Sequence, residues 1–142
     1  MTGHTDVVAQ DFIVIHVVAR PNRFFASYDL LQAISATGMQ FGAMNLFHYY
    51  APERMDKNPF FSLASATESG EFDLDRMGDF SCKGLTLFMN SRQVPNREEA
   101  FELMLSTAEQ LAEDLQGELR AGNKEIWSEE IKKQSLLKLR NS

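Results

Sequence analysis

Residues 11 to 19 read DFIVIHVVA, a Val- and Ile-rich run closed by Arg20-Pro21. Such a run before proline predicts a strand stopped by a turn. Its two faces are Ile13, Ile15, Val17 and Phe12, Val14, His16, and both are largely apolar. SYDLLQAISATG predicts a short helix that starts near Ser27 or Asp29, gathers Leu30, Leu31 and Ile34 on one side and stops at Gly38. QFGAMNLFHYY predicts a second strand with an opening at Gly42, in which Phe47 and Tyr49 alternate with Met44, Leu46 and His48. APERMDKNP is a charged loop between Pro52 and Pro59. FFSLASAT predicts a third strand, with Phe61 and Leu63 on one face and the small residues Ser62, Ala64 and Ala66 on the other.

The stretch ESGEFDLDRMGDFSCKG carries only isolated apolar anchors, which predicts an ordered connection with about one helical turn. LTLFMN, residues 85–90, is the fourth strand, with Leu85, Leu87 and Met89 opposite Thr86, Phe88 and Asn90. The strongest periodicity runs from Arg97 to Gln116, where Phe101, Met104, Leu105, Ala108, Leu111, Ala112 and Leu115 recur at helical spacing. Asn96 with Glu99 has the form of a capping box, and Gly117 marks the end. GELRAG is long enough for a short strand. SEEIKKQSLLKLRN predicts a terminal helix capped by Ser128 and anchored by Ile131, Leu136, Leu137 and Leu139.

The resulting order, strand, helix, three strands, helix, strand, helix, is that of an α+β domain on the split β-α-β plan, a mostly antiparallel sheet with its helices on one face. The helices then cover Ile13, Ile15, Val17, Phe47, Tyr49, Phe61, Leu63, Leu85, Leu87 and Met89. Phe12, Val14, Met44, Leu46, Ala64, Ala66, Thr86 and Phe88 meet on the open face. An open antiparallel face ordinarily alternates toward polar residues, and this one does not. Side by side these residues make a patch near the ~400 Å² level above which a partner is expected. Cover by a loop, by the N-terminal tail or by a second copy of the chain is the alternative.

Length and charge narrow the function. The 142 residues suit one domain, read as a tail over 1–10 and a folded unit over 11–142. Twenty acidic against fourteen basic residues, net charge −6, argue against duplex nucleic acid or an anionic membrane surface and fit a basic or amphipathic protein partner. The exposed aromatics invite comparison with RNA-binding sheets, but the RNP motifs and the basic residues are missing. Cys82 is the only cysteine, so neither a disulfide framework nor a soft-metal cluster is expected, and the cytoplasm is the simplest compartment. No run of about eighteen apolar residues and no secretory leader is present.

No catalytic or cofactor motif occurs, and no cofactor is expected. His16 reads as a partly buried structural residue rather than a base. Asp73, Asp75 and Asp79 lack the spacing of a calcium loop.

FIVIHVVA, TGMQFGAMNLFHYY, FFSLAS, GEFDLDRMGDFSCKGLTLFM and FELMLSTAEQLAEDLQGEL together resemble the C-terminal, FtsZ-binding domain of the ZipA family of bacterial cell-division proteins, from about Asp11 onward. The resemblance implies a roughly six-stranded, mostly antiparallel sheet with three helices on one face and a shallow hydrophobic cleft on the other. It implies a cleft built from Phe12, Val14, Met44, Leu46, Ala64, Ala66, Thr86 and Phe88, with the C-terminal tail of the tubulin-like GTPase FtsZ as ligand. The family has a bulky methionine and a lysine beside the cleft where this chain has Ala66 and Glu68. It further implies a non-enzymatic, monomeric, cytoplasmic domain of an inner-membrane protein at the division site, making no membrane contact itself. Two other readings stand beside it: a homodimer formed through the same apolar face, and a small-ligand or regulatory module, for which no polar anchor is evident.

Overall fold

The computed structural model describes residues 12–51 and 58–140. The expected tail over 1–10 and most of the loop between Pro52 and Pro59 lie outside these residues. The elements in chain order are β1 (Phe12–Val18), β2 (Phe25–Ala26), α1 (Ser27–Ala36), β3 (Gln40–Phe41), β4 (Phe47–Tyr49), β5 (Phe61–Ser65), β6 (Ser81–Cys82), β7 (Gly84–Asn90), α2 (Arg97–Leu115), β8 (Glu118–Ala121) and α3 (Glu129–Arg140). Six strands form one sheet in the order β3-β4-β5-β7-β1-β8, and each adjacent pair is antiparallel. The architecture is the expected α+β plan with three helices. β2 and β6 pair separately as a small ribbon, an element that the connection after residue 67 did not announce.

The helix-facing residues are dry. Ile15, Val17, Leu63 and Leu87 have no exposure, and Ile13, Leu85 and Met89 almost none. They share one core with Leu30 and Ile34 of α1, Phe101, Met104, Leu105, Ala108 and Leu111 of α2 and Leu139 of α3. Strand alternation and helical periodicity thus bury the same cluster from two sides.

Helix ends follow local chemistry only in part. α1 stops before Gly38, whose φ of +81° lies in the left-handed region that favours glycine. At the end of α2 the left-handed residue is Gln116, φ +56°, and not Gly117. Gly117 is required for another reason: a Cβ there would sit 2.7 Å from the Val18 carbonyl oxygen and 2.9 Å from Phe25 Cζ. Asn96 makes no side-chain cap on α2, so the expected capping box does not form. Ser128 Oγ does accept the Ile131 N–H of α3 at 3.2 Å. Leu137, expected as an anchor of that helix, is 55 % exposed.

The largest departure falls between residues 40 and 49. The expected single strand is a hairpin, with Gln40 opposite His48 and Phe41 opposite Phe47. A 3₁₀ turn over Ala43–Asn45 closes it, with Met44 and Asn45 both at positive φ, 61° and 59°. Met44 therefore lies on no strand, and Leu46 stands just before β4 rather than within it.

A candidate peptide-binding face

The sheet turns its second face away from the helices. Along β1 the residues Phe12, Val14, His16 and Val18 are half-buried while their neighbours are buried, and β7 repeats the pattern with Thr86, Phe88 and Asn90. Register places Val14 opposite Phe88, His16 opposite Thr86 and Phe12 opposite Asn90. On the other side of β7, Ser62 faces Phe88 and Ala64 faces Thr86. Phe12 and Phe88 are diagonal neighbours, and their rings lie 6.1 Å apart at 52°. The centre of this face is thus a shallow apolar floor made by β5, β7 and β1. Three strands at the usual spacing of about 4.8 Å make the floor roughly 10 Å across, in a sheet of six strands.

Of the residues expected to form the cleft, Phe12, Val14, Ala64, Thr86 and Phe88 come together on adjacent strands. Ala66 follows the end of β5, is exposed, and is held by its N–H to the Gly84 carbonyl at 2.9 Å. Met44 and Leu46 differ from expectation. Met44 is 78 % exposed at the hairpin turn, and Leu46 is buried yet stands outside the helix-side core. The turn residues Met44 and Asn45 break the two-residue alternation that would have carried Met44 onto the sheet.

In their place the open-face position of β4 is His48. It is buried and satisfied, with Nδ1 2.7 Å from Ser62 Oγ and Nε2 2.9 Å from the Ala43 carbonyl. His16 makes the corresponding pair on the other side of the floor, its Nδ1 2.9 Å from Thr86 Oγ1. Burial holds the His16 pKa below its ordinary value, a bond to the Gly122 carbonyl pulls upward, and the Lys124 charge pushes down again. Both imidazoles are therefore structural partners of a hydroxyl.

Beyond Thr86 the floor deepens into a pocket of about 410 Å³ lined by His16, Val18, Ala66, Thr86, Arg120 and Lys124. Arg120 and Lys124 had no place in the sequence reading. The register of β8 on β1 sets Arg120 opposite His16 and Glu118 opposite Val18 and so puts Arg120 and Glu118 on the open face, and Lys124 follows on the turn after the strand. Glu118 accepts from Arg120 Nη2 at 2.6 Å and from Nε at 3.1 Å, while Nη1 donates to the Lys124 carbonyl at 3.1 Å. The guanidinium is consequently fixed in place.

Cys82 lies in β6, away from this face, and is buried; its thiol donates to the Gly84 carbonyl at 3.2 Å, and burial raises its pKa. Among the described residues no group of three or more His, Cys, Asp or Glu is arranged to hold a metal, and no helix is long and apolar enough to cross a membrane. What remains is a surface suited to taking up apolar side chains from an extended or helical ligand.

Residues 11–137 match the family described as "ZipA, C-terminal FtsZ-binding domain". The chain is similar to the "Cell division protein ZipA" of Shewanella loihica, 34% identical over 131 residues that make up 92% of this chain and 39% of that protein. The protein of the same name from Hamiltonella defensa is 38% identical over 108 residues, 76% of this chain and 39% of its own. That of Ectopseudomonas mendocina is 33% identical over 117 residues, 82% and 43% respectively. The chain spans about two fifths of the length of these relatives.

Proposed function

The chain belongs to the family of ZipA C-terminal, FtsZ-binding domains, and on that premise we propose that its open sheet face binds the C-terminal tail of FtsZ. The observation that carries this reading is the half-buried apolar floor, with Val14 opposite Phe88 and the Phe12 ring beside it, on the side of the sheet away from the helical core. Phe12, Val14, Ala64, Thr86 and Phe88 form the contact surface, Ala66 borders it, and Met44 and Leu46 meet the tail only if it reaches the β3–β4 turn. The interaction is non-enzymatic. The domain acts as a monomer in the cytoplasm, without touching lipid or nucleic acid, and a membrane anchor elsewhere in the full-length protein ties division filaments to the inner membrane.

A tail that removes about 400 Å² of apolar surface from water gains roughly 10 kcal/mol before association costs. Ordering the peptide and losing its free motion consume several kcal/mol, which leaves micromolar or weaker binding for one contact. Weak single contacts serve a tether well, because many copies along one polymer add avidity.

The test is a fluorescence-anisotropy titration of the domain against a labelled FtsZ C-terminal peptide with a scrambled peptide beside it. Saturable, sequence-dependent binding that weakens for Phe88→Ala supports the partner and the face together. A folded domain that shows no binding at millimolar concentration rejects the reading. A dimer by light scattering that dissociates on Phe88→Asp would then assign the same face to self-association.

A further inference from the structure

The apolar floor has no intrinsic direction, since burying hydrocarbon is indifferent to which way a chain runs across it. The polar chemistry at its edge does have one. Among the sheet residues of the open face in β1, β5, β7 and β8, the acid and base side chains are His16, Glu118 and Arg120, and Lys124 follows on the β8 turn. His16, Arg120 and Lys124 line the 410 Å³ pocket at one end, and Glu118 joins them through its bonds to Arg120. In a chain of net charge −6, this end of the open face holds two cations, Arg120 and Lys124, against the single anion Glu118.

The members of the group are not equivalent. Glu118 takes two bonds from Arg120 through one oxygen, so those two charges largely offset one another. His16 is bonded to Thr86, and burial lowers its pKa. Glu125, next to Lys124 in sequence, accepts from Asn123 Nδ2 at 2.6 Å. Among the described residues no ion pair engages Lys124. Its backbone is meanwhile held: φ is +73°, its N–H donates to the Ala121 carbonyl at 2.8 Å, and its own carbonyl receives Arg120 Nη1. The turn thus places an exposed lysine and a fixed guanidinium on the lining of one pocket, together with Thr86 and Val18.

We propose that this pocket is a carboxylate subsite that sets the direction of the bound peptide, with an acidic side chain of the ligand pairing with Lys124 beside Arg120. It rests on the reading that a tail peptide occupies the face, and it adds the requirement that this peptide be acidic at the end lying toward β8. Rim charges of this kind govern encounter and register more than total affinity. Because Lys124 is exposed, the contact is screened by salt.

The experiment is an anisotropy titration with the labelled FtsZ C-terminal peptide and with versions in which each acidic residue is replaced in turn by its amide. Wild type, Lys124→Gln, Lys124→Glu and Phe88→Ala are compared at low and high salt, each with its urea midpoint as a check of folding. The expected result is a five- to twentyfold loss for Lys124→Glu at low salt that shrinks at high salt. One amide peptide should bind wild type more weakly and be insensitive to Lys124→Gln. If Lys124→Glu binds every peptide as wild type does while Phe88→Ala loses affinity, the subsite is wrong and the groove stands. If wild type binds none of the peptides, both fall together.

Discussion

Leu87 and Phe88 are adjacent in β7 and point to opposite faces of the sheet, so a pair of alanine substitutions separates the core from the proposed binding surface within one residue. Leu87 has no exposure, and its ladder neighbours Ile15 on β1 and Leu63 on β5 have none either. A Leu→Ala change in a core removes about 2–5 kcal/mol, with the larger losses where the cavity cannot collapse. Leu87 lies within the sheet, between β5 and β1, where backbone ladders fix the surroundings on both sides. The expected loss is therefore in the upper part of that range, about 3–4 kcal/mol. With a denaturant slope of about 2 kcal/mol per M, the urea midpoint falls by roughly 1.5–2 M.

Phe88 is half-buried, and its truncation forfeits mainly the ring contact with Phe12, worth about 0.5–1.5 kcal/mol. Its effect on peptide affinity should be larger than its effect on folding: a central aromatic anchor ordinarily carries about 2 kcal/mol or more, a loss of roughly thirtyfold. The assays are urea denaturation followed by Trp127 fluorescence and anisotropy with the tail peptide. Leu87→Ala should bind nearly as wild type while folded. A wild-type midpoint for Leu87→Ala, or an unchanged dissociation constant for Phe88→Ala, would refute the assignment of the two faces.

Gly117→Ala should destabilise by about 1–3 kcal/mol, because the added methyl meets the Val18 carbonyl and the Phe25 ring at under 3 Å; a wild-type urea midpoint would show that the junction yields freely. The Cys82 thiol, buried and with a raised pKa, should resist a thiol reagent in the native protein and react fully in denaturant; rapid native labelling would contradict its burial. His16 titrates below its ordinary value of 6.5 in the folded protein, so the unfolded chain takes up its proton first. Stability should therefore fall as pH drops below about 6.5 and level off beneath the folded value, and His16→Gln should remove that component from midpoints measured between about pH 5 and 8. The charges facing His16 in this window are Lys124, Arg120 and its partner Glu118.

Three strands were legible in the sequence because their side chains alternate without interruption and their ends are marked. β1, β5 and β7 carry Phe12, Val14, Ala64, Thr86 and Phe88 to one face by parity alone, and the pairings bring them side by side. Parity failed where the backbone changes hand. Gly42–Leu46 closes a hairpin through two successive positive-φ residues, and only Gly42 and Asn45 hinted at a turn inside an apolar run. β8 was legible as a strand but not as part of the site, since four residues of mixed character set no phase of their own. Its phase is imposed by the register with β1, a long-range fact that no local pattern contains.

The same register explains why the open face can be covered at small polar cost. A ligand that buries a hydroxyl or imidazole without replacing its hydrogen bonds loses about 1–3 kcal/mol for each group left unpaired. On this face the flanking polar side chains are already paired across the sheet, His48 with Ser62 on one side of the floor and His16 with Thr86 on the other. An apolar peptide laid over Phe12, Val14 and Phe88 therefore orphans neither pair. The face is apolar along its middle and its imidazole–hydroxyl pairs are internally satisfied, while the exposed Lys124 stands at its β8 end. On the proposed reading, affinity and orientation come from different residues: the aromatic floor supplies the first, and Lys124 beside Arg120 the second.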